Sequence, residues 1–318
     1  MITKTRKRYP IAIFFILACA ISWGFMVPAF IISEQRGYVL PTTATVGEMM
    51  KTGFQDNLHL LLSVLGILST FGPMIAAVIL AGLEGGLAAW WKRITNWRVG
   101  GRGYRDLLVV FLAIFIPMIL IGWIFASNST FGLLALSTAL PFILLELLSG
   151  FEEPGWRGYA LPRLQERYTA KKSSLILGIV WGLWHWPAFI PVYFATLAVP
   201  GTPVIAAFMT AGIQALIYIF ASILAAAFIH TWLYNRTQSA FINMLFHGGS
   251  NAVGSYIQVA LPNPALGMVY GIVRWAVAIV LMRFFWKDTV SNKPVERSLQ
   301  ISETNVSQGD KNERTKES

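Results

Sequence analysis

Charged residues and cysteines are scarce in this chain. Asp, Glu, Lys and Arg make up only 13% of its 318 residues, whereas 55% are apolar. A soluble domain carries roughly 25% charged residues, so this composition excludes an ordinary soluble protein. The single cysteine, Cys19, also excludes an internal disulfide.

What the chain has in abundance is apolar runs that reach the length of about 20 residues needed to cross a bilayer. Because lipid admits only helices and closed barrels, and these unbroken runs lack the alternation of barrel strands, we predict an all-α, polytopic integral membrane protein with about eight transmembrane helices. The first run resembles a signal peptide but is too long for one. The runs cover residues 10–32, 58–83, 107–126, 131–149, 174–194, 204–233, 239–261 and 266–286.

Positive charge is concentrated in alternate connections between these runs. By the positive-inside rule, this distribution places both termini in the cytosol, and we expect a bacterial plasma membrane. The basic residues are thereby explained by topology, so the lipid bilayer and not nucleic acid is the expected partner. Residues 87–99 mix Trp with Lys and Arg, which predicts an amphipathic helix at the interface.

Three parts of the chain follow from this pattern. Residues 1–130 hold the first three spans and the interfacial helix, and residues 131–287 form a second transmembrane domain that carries the polar motifs. Residues 288–318 are polar and lack aromatic residues, which predicts a disordered cytosolic tail.

The fourth run ends in two adjacent carboxylates, Glu152 and Glu153. Arg157 follows Glu153 at i+4 and can neutralise it, which leaves Glu152 free to act as a base near neutral pH. We therefore give Glu153 and Arg157 a supporting role. A solvated helix end, with no chemistry, is the alternative interpretation.

Two histidines lie too deep in their runs to anchor at the interface. Counted from the cytosolic side at 1.5 Å per residue, His185 is about 18 Å deep and His247 about 14 Å. Asn251 follows His247 by one turn on the same face. Each histidine alone could be a structural hydrogen-bond partner, but together with the Asn and the carboxylates they predict a site that opens to the cytosol.

Other ionisable residues in the runs receive lesser roles. Glu146 is expected to support the site, by lining it or by pairing with Arg274, for which we expect a structural role. His230 lies near the cytosolic end of its run, so we leave it out of the site.

The three motifs resemble those of the CAAX-protease and bacteriocin-processing family, also called the Abi family. Glu-Glu-Pro-Gly-Trp-Arg at 152–157 is similar to its EExxxR motif, Trp-Gly-Leu-Trp-His at 181–185 to FxxxH, and His-Gly-Gly-Ser-Asn at 247–251 to HxxxN. The resemblance extends over residues 150–253. Trp181 stands where the family has Phe, an exchange expected to preserve packing and leave the chemistry untouched.

The resemblance implies an intramembrane endopeptidase. Glu152 would be the general base and His185 would hold the water, while His247 and Asn251 would stabilise the oxyanion. The substrate would be a peptide or protein at the membrane, such as a prenylated C-terminus, a leader peptide or a membrane-protein segment. Alternatives are a proton-coupled transporter and a non-catalytic immunity or scaffold protein.

Metal dependence stays open at this point. No cofactor is expected to be required, because one carboxylate cannot easily be both ligand and base. The alternative is one zinc ion bound by Glu152, His185 and His247. Glu152 lies about 30 Å along its helix from residue 131, nearer the surface than His185, so only a tilted helix or an inward-dipping cavity can bring these residues together.

Overall fold

The computed structural model describes residues 9–41, 46–125, 136–197, 201–261 and 266–286. Of these residues 88% are helical, and no strand occurs among them. The predicted all-α class is therefore confirmed. The predicted tail, 288–318, lies outside the described residues.

Each of the eight apolar runs is helical where it is described, apart from the end residues Pro10, Ser239, Leu261 and Trp286. Within the described ranges, five helices are long and apolar enough to cross a membrane by themselves, which fits a polytopic membrane protein. The helices are α1 Ile11–Arg36, α2 Val46–Thr52, α3 Asn57–Leu83, α4 Leu87–Ile94, α5 Gly100–Phe125, α6 Leu136–Leu148, α7 Ala170–Leu197, α8 Val204–Thr237, α9 Ala240–Ala260 and α10 Leu266–Phe285.

Local signals set several helix ends. Gly37 adopts a left-handed conformation (φ 68°) directly after α1, as glycine can do without steric cost. Asp56 caps α3 by accepting a hydrogen bond from the backbone N–H of His59, and Ser239 caps α9 by accepting one from that of Ile242.

The interfacial helix is shorter than predicted. α4 ends at Ile94 rather than at residue 99. Thr95 Oγ1 donates back to the carbonyl of Trp91 at 2.9 Å, and the carbonyl of Asn96 accepts a hydrogen bond from Ser239 Oγ at 2.6 Å. The segment after Ile94 is thus tied to the start of α9 instead of continuing the helix.

Glycines allow α9 to cross the end of α6 with backbone in contact with backbone. A Cβ on Gly248 would lie 2.7 Å from the carbonyl oxygen of Leu147, and one on Gly150 would lie 2.6 Å from that of Met244. Small residues at such crossings let membrane helices approach closely. The crossing brings the first and third motifs side by side.

α8 is the central helix of the bundle. Every side chain from Leu224 to Tyr234 is buried, and it packs against α7, α9 and α10. The site described next lies where α7, α8 and α9 meet the chain that follows α6.

Candidate functional site

The first motif lies on a stretch that changes helix type three times. After α6 come a 3-10 turn, Ser149–Glu152, one α-helical turn, Glu153–Gly155, a π-helical turn, Trp156–Ala160, and a last α-helical turn, Leu161–Gln165. Such π-turns are uncommon and occur frequently at functional sites.

The interfacial helix holds this stretch from outside. Trp90 Nε1 donates to the carbonyl of Pro154 at 2.9 Å, and Arg93 Nε donates to the carbonyl of Gly158 at 2.9 Å. Trp90 is buried although it belongs to a short amphipathic helix. α4 therefore fixes the first motif as well as presenting aromatic and basic residues outward.

Glu153 and Arg157 form the i,i+4 pair that the sequence predicts. Arg157 Nη1 lies 2.9 Å from Glu153 Oε1, and both side chains are fully buried. His247 Nδ1 lies 2.9 Å from the same oxygen, and since a carboxylate only accepts, the imidazole nitrogen donates. Glu153 thus connects the first motif to the third.

Glu152 and His185 face each other across a gap. Glu152 Oε1 lies 3.9 Å from His185 Nε2, so the depth difference estimated from the sequence does not separate them. His185 Nδ1 lies 2.8 Å from the carbonyl of Trp181 and must donate to it. In the neutral ring Nε2 therefore has a free lone pair, directed toward the carboxylate.

Trp181 does more than pack, which corrects the expectation stated above. Its Nε1 donates to Glu152 Oε2 at 2.7 Å. Phe, the family residue at this position, has the ring but not the N–H, so the exchange adds a polar contact to a carboxylate of the site.

Asn251 lies on α9 one turn beyond His247. Its Nδ2 donates to Ser149 Oγ at 2.9 Å, and Ser149 Oγ donates to the carbonyl of Glu146 at 2.6 Å. One N–H of the amide is thereby used to orient the side chain, and the second is left for a ligand.

A single cavity of about 310 Å³ joins these groups. Its lining includes Glu152, His185, His247 and Asn251, the four residues to which the sequence assigns catalysis. Glu146 and Arg274 line it too. Three separate helical segments thus deliver the four side chains to one space.

His230 belongs to this cluster, contrary to the interfacial position that we inferred. It is buried, lines the cavity and places Nδ1 3.6 Å from Glu153 Oε2. Nδ1 also lies 2.9 Å from Asn243 Oδ1. The run was predicted to end at Leu233, but α8 continues to Thr237, which places His230 a turn deeper.

The donor atoms that could hold a metal ion differ from the predicted set. Among the described residues, the group whose ligand atoms all lie within 4.8 Å of one another is Glu153, His230 and His247. Glu153 Oε1 already accepts hydrogen bonds from Arg157 and His247. The guanidinium of Arg157 therefore already balances the charge of this carboxylate. This donor set fits an ion pair better than a metal ion.

Comparison with known proteins shows similarity to one protein family and to one curated relative. Residues 127–253 match the family described as Type II CAAX prenyl endopeptidase Rce1-like. CAAX prenyl protease 2 of Methanococcus maripaludis is 53% identical over 49 residues, which are 15% of this chain and 18% of that relative. The chain thus covers less than a fifth of the relative's length in this match. The resemblance drawn from the three motifs is confirmed for this part of the chain.

Proposed function

We propose that this chain is an intramembrane endopeptidase of the CAAX-protease type, in which Glu152 and His185 activate water. The observation that carries the proposal is the 3.9 Å separation of Glu152 Oε1 and His185 Nε2 on the wall of one cavity. That gap is too long for a direct hydrogen bond but suits one water molecule bonded to both atoms.

The first step divides the work between these two side chains. Glu152 takes a proton from the water, and His185 Nε2 accepts a hydrogen bond from the other O–H and so orients the oxygen. The oxygen attacks the carbonyl carbon of the peptide. Trp181 holds the second carboxylate oxygen of Glu152 at 2.7 Å, which leaves Oε1 for the water.

The attack places negative charge on the carbonyl oxygen, where His247 and Asn251 can stabilise it. The free N–H of the Asn251 amide donates directly. His247 donates through Nε2 as an imidazolium, because its Nδ1–H is directed to Glu153. The carboxylate of Glu153 supports that cation. Donors held in place before reaction are usually the largest contribution to such catalysis.

Collapse of the intermediate returns the proton. Glu152, now protonated, gives it to the amide nitrogen as the C–N bond breaks, so the products are a carboxylic acid, which keeps the second water proton, and an amine. Glu153 and Arg157 take no part in the transfer. They hold His247 and the first motif in register through the buried ion pair.

The substrate class follows from where the cavity lies. Its residues belong to helices of a membrane bundle, so the substrate is a peptide or protein segment that reaches the site at the membrane. A prenylated C-terminus is the first candidate, in keeping with the name of the matched relative. The distribution of basic residues supports a plasma-membrane site open to the cytosol, with both termini there.

The test is cleavage of a fluorogenic peptide by purified protein in nanodiscs. Glu152→Gln keeps the shape of the side chain but cannot take a proton, and we expect a loss of about 100- to 10,000-fold in kcat. Glu34→Gln, at an exposed position on α1, is the matched control and should retain full activity. Undiminished cleavage by Glu152→Gln would reject the assigned base.

Chelation tests the metal-free form of the mechanism in the same assay. Activity should persist after exhaustive dialysis against chelator, with elemental analysis of the same sample showing no stoichiometric zinc. Loss of activity that added zinc restores would show that a metal ion activates the water.

A further inference from the structure

Arg274 is a buried arginine in the cavity wall that the mechanism above does not use. It lies near the middle of α10 and is only 7% exposed. It also lies outside residues 127–253, the part of the chain that matches the family. An arginine at the middle of a membrane span is costly and marks a functional site by default.

The contacts of Arg274 leave its charge uncompensated by the groups that it touches. Nη1 donates to Ser222 Oγ at 2.9 Å, and Nη2 donates to the hydroxyl of Tyr270. Both partners are neutral. The Nε–H has no hydrogen-bond partner among the described residues. A guanidinium has five N–H donors and no acceptor, so this side chain can still bind an anion.

Arg274 is on the same wall as the oxyanion donors. Its guanidinium carbon lies 3.9 Å from the centre of the Tyr270 ring, and the Tyr270 hydroxyl donates to the carbonyl of Ser250 at 3.5 Å. Ser250 directly precedes Asn251. Among the described residues of the lining, Arg274 is the sole Lys or Arg, while the nearby carboxylate of Glu146 accepts from Ser255 Oγ at 3.0 Å.

We propose that Arg274 binds the free C-terminal carboxylate of the substrate and thereby sets how far from the chain end the cleaved bond lies. This inference rests on the proposed peptidase function. A cavity of about 310 Å³ accepts a few residues, so a peptide cut near its end would place that end inside. Arginine binds carboxylates with two parallel N–H···O bonds. Nη1 and Nη2 of Arg274 each carry a second N–H beyond the one that Ser222 or Tyr270 accepts. Ser222 and Tyr270 hold the guanidinium in plane.

Two fluorogenic peptides of one sequence, one ending in a free acid and one in an amide, test the proposal. We expect the wild type to cleave the acid about 10- to 100-fold better in kcat/KM, the range for a hydrogen bond to a charged group. Arg274→Gln should lower cleavage of the acid toward that of the amide, so that the ratio of the two kcat/KM values falls to about one. Arg283→Gln, an exposed arginine of the same helix, should keep the preference.

Several outcomes would overturn the proposal. If the wild type cleaves the acid and the amide equally well, there is no carboxylate-binding site. If Arg274→Gln still prefers the acid, Arg274 is not the residue that binds the carboxylate. Should that variant fail to fold, Arg274→Lys, which keeps the charge but loses the planar pair of donors, should show a reduced preference. A preference fully retained in Arg274→Lys would count against two-point binding.

A binding measurement separates this proposal from the peptidase function. Fluorescence anisotropy of the labelled acid and amide on Glu152→Gln protein should show tighter binding of the acid by the same factor. If the wild type cleaves neither peptide while the Glu152→Gln protein still binds the acid more tightly than the amide, the carboxylate site stands and the peptidase function is rejected. Equal binding, with displacement of both peptides by phosphatidylglycerol vesicles, would instead assign Arg274 to a lipid phosphate and overturn the proposal.

Discussion

The buried pair of Glu153 and Arg157 makes a prediction that can be worked through in numbers. Arg157→Met removes the guanidinium but keeps much of its volume. Glu153 then remains fully buried, and among the described residues His247 and His230 are the ion-pair partners left near its oxygens. Removing one partner of a buried ion pair costs about 3 to 5 kcal/mol, because the remaining charge is left in a medium that cannot solvate it.

The double variant is the decisive comparison. Glu153→Gln with Arg157→Met replaces both charges by neutral side chains of similar size. Replacing a buried ion pair by packed apolar side chains is often neutral or stabilising by about 1 to 4 kcal/mol. The double variant should therefore be more stable than Arg157→Met alone. It should still be inactive or nearly so, because His247 loses the carboxylate that supports its charge.

The assay is the free energy of unfolding in mixed SDS and detergent micelles, followed by tryptophan fluorescence. Arg102→Met, at an exposed position, is the control and should stay within about 0.5 kcal/mol of the wild type. A loss below about 1 kcal/mol for Arg157→Met, or a double variant less stable than the single one, would refute the reasoning.

Two further predictions concern the positions of the reacting groups. Trp181→Phe removes the N–H that holds Glu152 and should lower kcat about 10- to 100-fold, the equivalent of the about 1.5 to 3 kcal/mol that a hydrogen bond to a charged group contributes. Trp184→Phe is the control, and an unchanged rate for Trp181→Phe would show that the bond does not position the base. Gly248→Ala should destabilise the protein by about 1 to 3 kcal/mol, because the added Cβ overpacks against Leu147. Gly267→Ala is the control and should not destabilise it, since a Cβ there meets nothing within 4 Å. Equal stability of the two variants would contradict the close crossing of α9 and the end of α6.

The helices could be predicted from the sequence because they depend on local patterns, and the meeting of the motifs because ionisable side chains inside a span need partners or a function. Apolar runs of spanning length became helices, and the i,i+4 spacing of Glu153 and Arg157 became an ion pair. The depth obtained by counting residues along each helix was a poorer guide to which side chains lie close together. Glu152 and His185 were placed at different depths, yet their side chains lie 3.9 Å apart, because counting residues says nothing about tilt or about how far a side chain reaches.

His230 and Trp181 show what sequence patterns leave out. The role of His230 depends on where α8 ends, and helix ends are the part of a helix that composition defines least well. The contact of Trp181 with Glu152 depends on the direction of one indole N–H. When Trp181 is compared with the Phe of the FxxxH motif, the two rings are similar in size, but the hydrogen bond from the indole N–H is overlooked.

The attachment of α4 has a practical consequence for handling the protein. Two hydrogen bonds from one short helix hold the backbone of the first motif at Pro154 and Gly158, and Trp91 on the same helix is exposed. Short-chain detergents that bind the exposed side of α4 would detach this helix from the first motif, while the circular dichroism signal of the remaining helices stays unchanged. Solubilising conditions should therefore be chosen by following the fluorescence of Trp90, since a preparation with full helix content can already have lost the contacts that hold the first motif.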